Sequence, residues 1–66
     1  MILVNFYFGR EGVYASKQLC AVPQMGDTVI FNSRAGIVKK VAWMFVHHST
    51  GVEQYVNILL DETTGK

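Results

Sequence analysis

The sequence predicts a small all-β protein, a five-stranded antiparallel meander closed into a barrel. Apolar and polar residues alternate with period two near both ends of the chain, the spacing of strands with one face in a core. Clusters of Gly, Asn, Asp and Ser separate the alternating runs, as turns between strands require. Between them, residues 22–46, VPQMGDTVIFNSRAGIVKKVAWMFV, hold the only proline, the densest turn chemistry and the only tryptophan.

Ile2, Val4, Phe6 and Phe8 alternate with Leu3, Asn5 and Tyr7, so residues 2–8 form a strand whose even positions face the core. Gly9, Arg10, Glu11 and Gly12 supply the turn of a hairpin into Val13. Residues 13–22, VYASKQLCAV, suit a strand from Val13 to about Ser16 and then an irregular arm, with room for one short helical turn within 15–22. Pro23 ends the arm by holding Val22 extended.

Gln24, Met25, Gly26 and Asp27 form a turn in which the Asp27 carboxylate accepts backbone N–H bonds. Residues 28–32 are the next strand, with Val29 and Phe31 on one face and Thr28, Ile30 and Asn32 on the other. After a turn at 33–36, residues 37–47 make the longest extended run. Lys39 and Lys40 break its alternation as a β-bulge would, letting Val38 share a face with Val41, Trp43 and Phe45. The opposite face carries Ala42, Met44 and Val46. A strand apolar on both sides is covered on both, by a second sheet or by a partner. A turn at 48–51 leads to a last strand in which Val52, Gln54, Val56, Ile58 and Leu60 alternate with Glu53, Tyr55, Asn57 and Leu59. Residues 1–60 are thus expected to form one domain, and the polar residues 61–66 a frayed tail.

A chain of 66 residues buries only ~60% of the surface its unfolded form exposes, so its core is marginal and it gains from partners. Cys20 is the only cysteine, which excludes an internal disulfide and fits a reducing cytoplasm. No apolar run reaches the ~18 residues of a membrane-spanning helix. Residues 1–5 lack the basic and apolar pattern of a secretory leader, so a cytoplasmic protein is expected. Six basic against five acidic residues give a net charge of +1, too small for a strongly electrostatic polyanion binder.

Pro23-x-x-Gly26-Asp27-x-Val29, followed by Gly36-x-Val38-x-x-Val41-x-Trp43, resembles the two-strand core of small Src-homology-3-like barrels, including KOW-type modules of ribosomal and transcription proteins. The spacing is also similar to that of very small phage and mobile-element proteins. The first resemblance implies a Src-homology-3-like barrel and RNA or DNA binding, although the loop offers one basic residue, Arg34, where KOW modules present several. The second implies an inhibitor or adaptor acting on a host macromolecular complex, of the anti-restriction or anti-CRISPR type.

The residues themselves argue against catalysis. The sequence contains no nucleophile elbow, phosphate-cradling glycine loop or paired-carboxylate motif, and a barrel of this size has little interior for a substrate. No cofactor is expected. His47 and His48, adjacent on a strand, point to opposite faces and cannot ligate one metal ion without a local turn. Arg34, Lys39 and Lys40 with Trp43 are the candidates for nucleic-acid binding, with Arg10, Lys17, Tyr7 and Tyr55 in support. The stronger signal is apolar: with the even face of the terminal strands assigned to the core, Leu3, Tyr7, Tyr55 and Leu59, together with Ile30 and Met44, remain as an outer patch. Such a patch marks an interface. The expectation is therefore a non-catalytic protein-interaction module that docks on a larger complex, self-associates as a homo-oligomer, or both.

Overall fold

The computed structural model describes residues 1–63. Among these described residues are five strands and no helix: β1 (Ile2–Phe8), β2 (Val13–Leu19), β3 (Thr28–Ile30), β4 (Ala35–His48) and β5 (Gly51–Glu62). They form a single sheet in the order β2-β1-β5-β4-β3. The expected antiparallel meander is corrected at its centre, where β1 and β5 run parallel from Leu3 opposite Tyr55 to Phe8 opposite Leu60. The remaining neighbours are antiparallel.

Alternation explains which face curls inward. Val4, Phe6 and Phe8 from β1, Val56, Ile58 and Leu60 from β5, and Val38 from β4 are buried together. Ile2, Leu19, Val29 and Val41 pack around them. The bulge expected at the lysine pair is present, since Val38 opposes Leu60 and Lys40 opposes Leu59 with Lys39 left over. Its consequence is the one inferred from the sequence: Val41, Trp43 and Phe45 oppose Ile58, Val56 and Gln54, on the face that Val38 shares.

The barrel does not close through its backbone. β2 and β3 lie at opposite ends of the strand order and do not pair, so the sheet is an open half-barrel. Side chains bridge the gap instead. Phe31, just past β3, meets Tyr14 of β2 edge-on with ring centroids 5.0 Å apart and Phe6 at 5.4 Å. Closure by hydrogen bonds would need β3 to be long, and it has three residues.

Two further expectations are corrected. No helical turn forms within 15–22, because Lys17, Gln18 and Leu19 continue β2 opposite Val4, Leu3 and Ile2; strand pairing decides a segment whose own propensities are balanced. The chain does not fray at Asp61 either: Asp61 opposes Ile37, Glu62 opposes Gly36, and Thr63 donates its N–H to the Ala35 carbonyl at 2.9 Å. The rest of that tail, 64–66, lies outside the described residues. At the 24–27 turn, the Asp27 carboxylate accepts the Gln24 N–H at 2.7 Å, as its position after Gly26 suggests.

Candidate interaction surface

The long hairpin outgrows the sheet that supports it. β1 pairs with β5 only as far as Leu3 opposite Tyr55, so residues 45–48 and 51–54 form a two-stranded arm with no third strand behind it. The molecule is correspondingly elongated, 48 × 24 × 19 Å. Val41 still reaches the core. Farther out, on the same face, Trp43 is 46% exposed, Phe45 56% and Val52 57%. The core stripe thus continues past the core and becomes surface.

β4 is also open along one edge. β3 covers it only at Ala35, Gly36 and Ile37, and the last backbone contacts are Gly26 N–H to Val38 O at 2.9 Å and Val38 N–H to Asp27 O at 2.8 Å. Among the described residues, no strand pairs with the outer edge of 39–48. Unpaired N–H and C=O groups beside exposed aromatic side chains are a template for another strand.

The residues singled out from the sequence are only partly brought together. Leu3, Tyr55 and Met44 form one cross-strand row on the outer face of the sheet, and Tyr7 and Leu59 form another. Between them runs a polar row. Ser16 donates to Asn5 Oδ1 at 2.7 Å, and Asn5 Nδ2 donates to Asn57 Oδ1 at 3.1 Å. The outer patch is therefore two apolar strips divided by a hydrogen-bonded one. Ile30 stands apart on the short edge strand β3, 76% exposed and opposite Ala35.

The basic candidates are not assembled into one patch. The Arg34 guanidinium is held by Glu62 at 2.7 Å and by Glu11 at 3.0 Å, and lies 4.1 Å from the centroid of the Phe8 ring. Hydrogen bonds from Arg34 hold the Glu11 and Glu62 carboxyls below the usual carboxylate range, and the two carboxylates, Glu62 first, raise the Arg34 pKa in turn. Two anions satisfy this cation, so it serves as a clamp between the 9–12 turn, the start of β4 and the end of β5. Lys39 and Lys40 are exposed, but Lys40 opposes Leu59 on the outer face, whereas Trp43 opposes Val56 on the core face. His47 and His48 oppose Val52 and Gly51 on opposite faces of the arm, and His48 Nε2 lies 3.0 Å from Glu53 Oε1.

Phe45 and Val52 are surface residues on the face that the sequence pattern shares with the core, and Trp43, singled out in the sequence with the basic candidates, lies exposed on that same face. The signal that could have found them is length: the last two apolar runs extend beyond what a seven-residue first strand can cover. No protein-family model matches the chain, and no curated protein or solved structure matches it.

Proposed function

We propose that this chain is a non-catalytic protein-interaction module that contacts its partner through the β4–β5 arm. One observation carries the reading: Trp43, Phe45 and Val52 lie exposed on one face of a hairpin whose β4 edge is unpaired. Aromatic side chains bring large contact area at low cost in lost rotamers, and an open edge adds directional backbone bonds. The finer form of the proposal is an inhibitor or adaptor acting on a host macromolecular complex, of the anti-restriction or anti-CRISPR type, and cytoplasmic. A Src-homology-3-like fold belongs to the same proposal and says nothing of function.

The test is affinity capture from the native host with nuclease present. Capture is expected to survive nuclease and to be lost on Trp43→Ala plus Phe45→Ala, with the Tyr55→Ala plus Leu59→Ala pair reporting on the outer strips. Capture that is abolished by nuclease, weakens with salt and fails on Lys39→Glu plus Lys40→Glu would instead establish nucleic-acid binding.

A further inference from the structure

Of the open strand edges, β2 and the free part of β4 are the longest, and only the latter is built to accept a strand. On β2, Lys17 opposes Val4 on the core face, and the register slips between Phe6 and Tyr7. A charge on the inward face and an irregularity both discourage pairing. The free part of β4 has neither between Val41 and Val46: both faces are apolar, and the register with β5 is unbroken.

That edge is also self-complementary. Its regular part begins at Lys40, just past the bulge, and ends at His48, so its midpoint is Met44. Two copies related by a two-fold axis through this point pair antiparallel over the whole of residues 40–48. Backbone direction agrees. Val38 turns its N–H and C=O away from β5, and past the one-residue bulge the outward set becomes Val41, Trp43, Phe45 and His47. Centred on Met44, Trp43 meets Phe45 of a second copy and Phe45 meets its Trp43, so outward groups oppose outward groups.

The side chains fit this register. On the core face, the two Trp43–Phe45 pairs merge into one aromatic cluster. On the outer face, Met44 meets Met44 and Ala42 meets Val46. Lys40 comes opposite His48, whose ring is bound to Glu53, so at each end a lysine approaches a carboxylate on its own side of the sheet. A shift of two residues in either direction about Met44 moves Lys40 opposite Val46 or beyond the end of the partner strand and loses this match.

We propose that a second copy of this chain pairs with the β4 edge in the Met44-centred antiparallel register, giving a continuous sheet eight strands wide across the junction, β2-β1-β5-β4 from each copy, with a double-width aromatic face. This rests on the reading of the arm as a protein-contact surface, and the second copy is the occupant of its edge.

The test uses the full chain with Cys20→Ser, so that introduced cysteines are the only thiols. Light scattering at high micromolar concentration is expected to give a dimer. Met44→Cys is expected to cross-link to itself on mild oxidation, because opposite residues at a non-hydrogen-bonded pair are the closest across antiparallel strands. Ala42→Cys faces Val46 and is expected not to cross-link. Amide exchange at Val41, Trp43, Phe45 and His47 should be slow at high concentration and fast on dilution. A monomeric mass overturns the proposal, as does cross-linking of Ala42→Cys in preference to Met44→Cys. A monomer whose capture of a host partner still fails on Trp43→Ala plus Phe45→Ala overturns self-pairing alone. Capture that is indifferent to that double variant overturns the arm reading itself.

Discussion

Gly36 has no room for a side chain. A Cβ there would lie 2.9 Å from Leu60 Cβ and 2.9 Å from Phe8 Cε1, and both neighbours are fixed in the core. Gly36→Ala is expected to destabilise the fold by about 1–3 kcal/mol, the usual cost of overpacking, read as a lower midpoint in urea denaturation followed by circular dichroism. Arg34 acts differently, through charge. Because Glu11 and Glu62 titrate below the ordinary value of 4.5 in the fold, their pairing contributes stability that is present above that pH and is lost as the pH falls through the lowered folded values. Arg34→Met is therefore expected to lower the urea midpoint at pH 7, with the gap from the parent protein shrinking below pH 4.5. Arg34→Lys should not restore the parent midpoint, since one ammonium cannot bridge two carboxylates while lying flat on the Phe8 ring. An unchanged gap at low pH would show that Arg34 acts by packing alone.

The shortest strand depends on the residue that follows it. β3 has three residues, and Phe31 ties it to Phe6, Phe8 and Tyr14 through edge-on ring contacts. Phe31→Ala is expected to cost about 2–3 kcal/mol, at or below the low end for buried phenylalanines because the ring is only partly buried. Amide exchange at Val29 and Val38 should accelerate more than at Ile58, since the side-chain closure between β2 and β3 is lost while the central strands remain. Uniform acceleration would mean that Phe31 is part of a single cooperative core. Elements of this kind also mark where the sequence is legible. Alternation in β1 and β5 and the bulge at Lys39 and Lys40 reveal which residues share a face, because those patterns are local. They do not reveal which strand lies beside which: the parallel β1–β5 pairing joins Asn5 to Asn57 across most of the chain, and the Asn row that divides the outer patch exists only once those strands are neighbours. Arg34 likewise looks like a free cation until β5 brings Glu62 to it.

For the whole molecule, few buried residues support a long lever. Among the described residues seven side chains form the buried core, yet β4 and β5 together carry 26 residues, and their distal part exposes aromatic surface rather than hiding it. The barrel expected from the sequence would have spent that surface internally; the half-barrel leaves it exposed. Association that occurs only in the folded state raises apparent stability by mass action, so a self-pairing chain should melt at a temperature that rises with its own concentration. The midpoint is expected to increase steadily from about 5 to about 500 μM, a range over which linkage to a micromolar dimer is resolved. Phe45→Lys removes an aromatic side chain that is largely exposed within one copy and places two like charges in the shared cluster, so its melting midpoint should equal that of the dilute parent protein and stay constant with concentration. Concentration dependence that persists in Phe45→Lys would place the contact elsewhere, and its absence in the parent would overturn self-pairing through the arm.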